Sequence, residues 1–145
     1  MSLKAAFSTR NPRIDVNVGQ TAYVCVRADR LWNDSDVDVA LGQTYNFTVP
    51  AGEKWRDWRP PCGADGYSSA LWLRPWEIIR RVPEANWLQL VATVGRSTRP
   101  SMVVGSKLID FSPSFPGRLY FFANCLTGLH WRNKGMIAVR VMRTK

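Results

Sequence analysis

Two stretches near the C-terminus decide the fold: Arg118-Leu119-Tyr120-Phe121-Phe122-Ala123 and Ile137-Ala138-Val139-Arg140-Val141-Met142. The first is apolar almost without interruption, which is typical of a strand that is covered on both faces. In the second, Ile137, Val139 and Val141 alternate with the remaining side chains, so this strand is predicted to be half-exposed. Both stretches are therefore predicted to be β-strands.

The same alternation with a period of two occurs upstream. Residues Asp36 to Val39 alternate between polar and apolar, and after the turn at Gly42-Gln43 the residues Tyr45 to Val49 alternate again. Such a pair of segments predicts a hairpin with one buried face. Further strands are predicted at Trp87 to Val94 and at Lys107 to Phe111.

One segment departs from this pattern. Pro75 can occupy the first turn of a short helix, and apolar residues recur after it, so Leu71 to Val82 is predicted to be a helical insertion. The strands elsewhere are short, numerous and separated by turns, which favours two packed sheets over a parallel α/β sheet. The sequence therefore predicts an all-β sandwich of the jelly-roll type with one short helical insertion.

Composition predicts a single folded domain. The chain has 145 residues, of which 46% are hydrophobic, and it contains 7 Trp. One domain of this length can bury a core without disulfides or metals, so residues 1–145 are expected to form it, with residues 1–20 at its periphery. No apolar stretch reaches the roughly 20 residues that a membrane-spanning helix needs, and no signal peptide is apparent. We expect a cytoplasmic protein without membrane contact.

Catalytic and metal-binding patterns are weak. The segment Asp34 to Asp38 begins like a calcium loop, but such a loop needs Gly at its sixth position and Glu at its twelfth, where this chain has Val39 and Tyr45. The only histidine, His130, lies near Cys125 in sequence, which does not by itself activate a thiol. The 3 cysteines lack paired spacing and are expected to be reduced and largely buried. These patterns predict a non-enzymatic protein.

The segment Trp55 to Tyr67 combines Trp, Arg, Pro and Gly residues. Tryptophan rings stack on sugars or bases, and arginine offers a planar fork of donors beside them. Alternatively, Trp55 and Trp58 close the open end of the sandwich while the arginines reach water. Because loops are where binding sites form, Trp55 and Asp65 are candidate ligand-binding residues.

The segment Gly117 to Gly135 resembles the signature of the PA-I type galactose-binding lectins of bacteria and their wider family. There a strand ends in Asn-Asp, and a Pro-Gly turn leads through an aromatic residue to Asn-Asn and Gly; the register matches without gaps. Upstream segments are similar too, so that the resemblance covers most of Val24 to Val141: Trp32 to Asp34, Gly42 to Phe47, Gly63 to Tyr67 and Leu88 to Gly95. It implies a galactose-binding-like jelly-roll sandwich in which calcium ligates sugar hydroxyls.

Substitutions at the implied metal site change this expectation. Cys125 stands where the family has a ligating Asp, and Arg132 replaces the first of two ligating Asn residues, of which only Asn133 is kept. A thiol suits calcium poorly, and the charge of Arg132 repels a cation. We therefore expect no cofactor, calcium included. The candidate ligand-binding residues in this segment are Asn124, His130, Trp131, Arg132 and Asn133.

Three functions remain open at the level of sequence. The first is a lectin-like, carbohydrate-binding module for an acidic glycan that arginine recognises through its bidentate donors. The second is a structural sandwich that forms homo-oligomers without a small ligand, because 7 Trp leave aromatic surface to cover. The third is non-specific binding of nucleic acid or another polyanion, which rests only on the formal net charge of +9.

Overall fold

A computed structural model of the chain describes residues 16–68, 80–126 and 128–145. These residues form nine strands: β1 (Thr21–Arg27), β2 (Asn33–Val39), β3 (Tyr45–Thr48), β4 (Trp55–Arg56), β5 (Leu90–Val94), β6 (Ser101–Val103), β7 (Lys107–Phe111), β8 (Gly117–Ala123) and β9 (Lys134–Arg143). The described residues contain no α-helix, and a single 3-10 turn covers His130–Arg132. The predicted helix at Leu71 to Val82 lies outside the described residues except for its last three positions.

The strands form two antiparallel sheets. In sheet A the order is β1-β9-β3-β7, and β4 pairs with one end of β9; in sheet B the order is β2-β8-β5-β6. Neighbouring strands in both sheets are antiparallel. The predicted all-β sandwich is therefore confirmed.

The core lies between the two sheets and is built from the alternating side chains of both. Phe47 of sheet A and Phe121 of sheet B are fully buried, and their rings meet edge to face with 5.7 Å between centroids. Such an aromatic pair contributes about 0.5 to 1.5 kcal/mol beyond the burial of its surface. Val37 and Val39 of β2 fill the same core from the edge of sheet B. Alternation along each strand thus accounts for how the two sheets are held together.

The predicted hairpin between Asp36–Val39 and Tyr45–Val49 is wrong. The first segment belongs to β2, which pairs with β8 in sheet B, whereas the second forms β3, which pairs with β7 and β9 in sheet A. Both segments do bury one face, as their patterns indicate. Alternation specifies which face is buried but not which strand is the neighbour, so the intervening turn crosses between sheets.

The two C-terminal strands match their predicted burial. In β8, Phe121 faces the core, and Phe122 on the opposite face is equally buried, because it packs against Val82, Ala85 and Val91. In β9, Ile137, Val139 and Val141 are buried while the alternate positions are at least partly accessible. At the other end of the described chain, Val16 is buried in the main core.

No helix in the described ranges combines the length and the apolar character needed to cross a membrane.

We predict that Gly66→Ala is strongly destabilising. Gly66 has φ of +67°, and a Cβ atom there would clash with the Trp87 carbonyl oxygen and lie 2.6 Å from the Gln89 backbone nitrogen. Because the atoms that the new Cβ would meet are backbone atoms of residues 87–89, they cannot move aside as a flexible side chain could. We therefore expect a loss of about 3 kcal/mol in the free energy of unfolding. Gly52→Ala is the control, since Gly52 also has positive φ but an open surrounding, and should cost about 1 kcal/mol. Urea unfolding measures both; equal losses would contradict the packing argument.

Candidate functional site

The loop between β8 and β9, residues Asn124 to Asn133, lies at one end of the sandwich and contacts two other segments. The Asn133 side-chain nitrogen donates to the Ala28 carbonyl, 3.2 Å away, between β1 and β2. The Asn124 side-chain oxygen accepts from the Val82 backbone nitrogen at 2.9 Å. These contacts place the five candidate residues of this loop at an end of the sandwich where several loops meet.

Asn124 is completely buried, and its carboxamide is fully engaged. Its oxygen accepts from the Val82 nitrogen, and its nitrogen donates to three carbonyls, those of Val82, Ala85 and Asn86, at 2.8 to 3.1 Å. Every polar position of the side chain is therefore used to join the end of β8 to residues 82–86. Asn124 supports the loop rather than facing a ligand.

Asn133 and Cys125 are also buried, at 4% and 6% exposure. The amide of Asn133 is engaged by Ala28. Burial raises the pKa of the Cys125 thiol, and this effect outweighs the opposing hydrogen bond from Asn133 and the charge of Arg81. The thiol is consequently neutral at physiological pH.

The donor chemistry at the implied calcium site does not fit that ion. Calcium requires six or more oxygen ligands, usually including carboxylates. Here the positions are occupied by the neutral thiol of Cys125, by Arg132 with its positive charge, and by Asn133, which is directed to a backbone carbonyl. Among the described residues, no group of three or more His, Cys, Asp or Glu side chains is placed to hold a metal.

The aspartates that begin like a calcium loop surround an arginine instead. Asp34, Asp36 and Asp38 project from the outer face of β2, an edge strand, and their carboxylates lie 2.8 to 3.2 Å from nitrogens of Arg118 on β8. The guanidinium of Arg118 thus joins β8 to β2 through three ion pairs, and it offsets part of the negative charge of the three aspartates. These ion pairs are partly exposed, so each is worth less than about 1 kcal/mol.

His130, Trp131 and Arg132 form the outward part of the loop. They make up the 3-10 turn, and none of the three is buried. Trp131 is 62% exposed, and the Arg132 guanidinium carbon lies 4.9 Å from the centroid of its ring. Nδ1 of His130 is buried and has no hydrogen-bond partner in the described part of the chain. The structure therefore brings these three sequence candidates together on an exposed surface.

Trp55 and Asp65, the two candidates outside this loop, support the fold. Trp55 is 1% exposed, and its ring nitrogen donates to the Leu88 carbonyl at 2.9 Å, so its ring packs in the core and is not placed to stack on a ligand. Of the alternative, that Trp55 and Trp58 both close the end of the sandwich, the burial of Trp55 fits, whereas Trp58 is 71% exposed. Asp65 is exposed, but its Oδ1 accepts from the Ser106 nitrogen at 2.8 Å and fixes the turn between β6 and β7.

Sequence reasoning missed two cations beside the exposed turn. Arg56 of β4 pairs directly with Lys134 of β9, and both side chains are exposed. Lys134 follows Arg132 by two residues, so three exposed cationic residues lie near the junction of the loop with β9. Like charges at directly paired positions repel each other, which favours an anion between them. No sequence signal links Arg56 to Lys134, because the pairing of β4 with β9 spans almost 80 residues.

Comparison with known proteins addresses the fold. No protein-family model matches the sequence, and no curated protein matches it. Eight chains of solved structures do match. One is described as the "EclA N-terminal domain; PllA-like lectin", with a TM-score of 0.61 and 16% sequence identity over 83% of this chain and 94% of that chain. The fold is similar to that of a PllA-like lectin.

This likeness confirms the predicted lectin-like fold. At 16% identity it concerns the fold alone, and the narrower assignment to the PA-I type stays a prediction. Homo-oligomer formation, non-specific nucleic-acid binding and the cytoplasmic location also stay predictions.

We predict that Asn124→Ala destabilises the protein strongly. The substitution removes the hydrogen bonds of Asn124 to four backbone groups. The Val82 and Asn86 carbonyls keep a bond from the Ala85 and Gln89 nitrogens, but the Val82 nitrogen and the Ala85 carbonyl lose the bond to Asn124, and we expect a loss of about 3 kcal/mol in the free energy of unfolding. Asn46→Ala is the matched control, because the Asn46 side chain accepts one exposed hydrogen bond from Asp110, and its loss should cost about 1 kcal/mol or less. Chemical denaturation compares the two; a small effect at Asn124 would show that its hydrogen bonds do not hold the loop.

Proposed function

We propose that this chain is a non-enzymatic carbohydrate-binding module that takes an acidic oligosaccharide at the turn His130–Arg132, without calcium. The observation that carries the proposal is the exposed ring of Trp131, stacked with Arg132 at the loop end of a sandwich. The structural likeness to a PllA-like lectin supports carbohydrate as the class of ligand.

Trp131 supplies the apolar part of the site. An indole ring presents a flat face on which the C–H groups of a sugar ring can pack, and it loses little conformational entropy when it does so. Because Asn124 and Asn133 hold the loop from within, the turn that carries Trp131 is supported before a ligand arrives. Such preorganisation reduces the entropic cost of binding.

Three cations supply the preference for acidic sugars. Arg56, Arg132 and Lys134 are exposed and make no ion pair in the described part of the chain, whereas Arg27 and Arg59 pair with neighbouring aspartates. Arginine binds carboxylate and sulfate through two parallel hydrogen bonds. A uronic acid or a sulfated sugar would therefore neutralise charge that the protein itself leaves uncompensated.

The Cys125 and His130 combination does not favour catalysis. Burial raises the pKa of the Cys125 thiol, so the reactive thiolate is scarce at neutral pH. Cys125 also has only 6% of its surface exposed, which leaves little access for a substrate. We therefore assign the site to binding alone.

The test is binding of sulfated or uronate-containing oligosaccharides, compared with their neutral counterparts, by glycan array and titration calorimetry. The unmodified protein should prefer the acidic set. Trp131→Ala and Arg132→Ala should each weaken binding about tenfold or more, because stacking and a charge-assisted hydrogen bond are each worth about 1.5 kcal/mol. Binding should be unchanged by a calcium chelator.

Tyr23→Ala and Arg140→Ala are the matched controls. Tyr23 is 70% exposed on β1, and the Arg140 guanidinium lies 6.0 Å from its ring, so this pair repeats the same chemistry away from the loop. Neither control should change the affinity. Equal losses in both pairs would indicate non-specific attraction to a basic protein and contradict the proposed site, as would equal affinity for neutral sugars.

A further inference from the structure

Arg81 is a buried cation whose two terminal guanidinium nitrogens have no hydrogen-bond acceptor among residues 16–68, 80–126 and 128–145. Only 9% of the residue is exposed, and these two nitrogens are themselves buried. Its backbone nitrogen donates to the Cys125 carbonyl at 3.0 Å, which fixes the residue beside the end of β8. The preceding Arg80 is equally buried, but its guanidinium donates to the Pro83 carbonyl. The unsatisfied donors therefore belong to Arg81 specifically.

Aromatic rings hold the Arg81 guanidinium in place. Its central carbon lies 3.6 Å from the centroid of Phe122 and 4.6 Å from that of Trp32. These rings attract the positive charge, but they do not replace acceptors for its N–H groups. Trp32 is only half-buried, so one of the two rings that contact the guanidinium also reaches solvent on the outer face of sheet B.

The charge persists although its environment disfavours it. Burial lowers the pKa of Arg81 to about 10, so the guanidinium stays protonated at neutral pH. A buried charge that lacks a counter-ion costs several kcal/mol. An anion that paired with it would remove this cost, and the stability gained would appear as binding energy.

We propose that Arg81, with Trp32 and Phe122, forms a binding site for a small carboxylate whose remainder is apolar. A carboxylate matches the two terminal nitrogens of Arg81, because its two oxygens accept two parallel hydrogen bonds from one guanidinium. A single negative charge also balances a single positive one, whereas phosphate would leave excess charge in an apolar site. The neighbouring Val82, Ala85 and Val91 favour an apolar body for the ligand.

This site is distinct from the exposed turn at Trp131, and the proposal does not depend on glycan binding. Trp131 and Arg132 of the turn between β8 and β9 are exposed, whereas Arg81 lies against Phe122 on the outer face of sheet B. Each proposal can therefore fail without the other.

The test is thermal unfolding in sodium benzoate and sodium acetate, compared with sodium chloride and sodium phosphate at equal ionic strength. At ten times its Kd, benzoate should raise the melting temperature by about 4 °C, and acetate should have a smaller effect at the same concentration. Arg81→Met should abolish the increase. Arg96→Met should retain it, because Arg96 also stacks on an aromatic ring, Tyr120 of β8, but is exposed.

Arg81→Lys provides a second variant if the methionine protein does not fold. Lysine keeps the charge but lacks the planar fork, so most of the benzoate response should be lost. In the unmodified protein, the NMR signal of the Arg81 guanidinium should shift with benzoate and saturate. The proposal is overturned by an equal temperature increase in Arg81→Met, by a larger response to phosphate than to benzoate, or by a guanidinium signal that does not respond.

Discussion

The side chain of Asn124 makes the hydrogen bonds on which the loop end of this sandwich depends. It accepts from one backbone nitrogen and donates to three backbone carbonyls, and in doing so it joins the end of β8 to residues 82–86. Those residues in turn cover Phe122, the part of β8 that faces away from the main core. Asn133 fixes the other end of the loop to Ala28. Two buried amides thus position the exposed turn between them.

Charged side chains are arranged differently on β2 and at the loop end. On the outer face of β2, Arg118 is surrounded by three aspartates, so that region carries no excess of positive charge. At the loop end, by contrast, two exposed cations, Arg56 and Lys134, pair directly. This arrangement favours an acidic ligand over a metal-bridged neutral one.

Sequence patterns predicted the elements better than their pairing. Alternation in β2, β3 and β9 correctly indicated which face of each strand is buried, but it could not show that β2 and β3 belong to different sheets, because pairing depends on residues far apart in the chain. The exposed turn consists of three of the predicted ligand-binding candidates, His130, Trp131 and Arg132. By contrast, Trp55 and Asn124 were predicted to bind ligands, but both are buried. For Asn124, residue type alone does not distinguish an amide that faces a ligand from one that forms hydrogen bonds with buried backbone groups.

The claim that amide hydrogen bonds hold the loop in place of calcium is tested most directly by calorimetry with and without calcium. A calcium ion that bound only the folded state, at a hundred times its Kd, would add about 2.7 kcal/mol and raise the melting temperature by about 8 °C. We expect the same melting temperature in millimolar calcium and in excess chelator. An increase of several degrees that the chelator reverses would contradict the account, because it would mean that the loop retains a functional metal site.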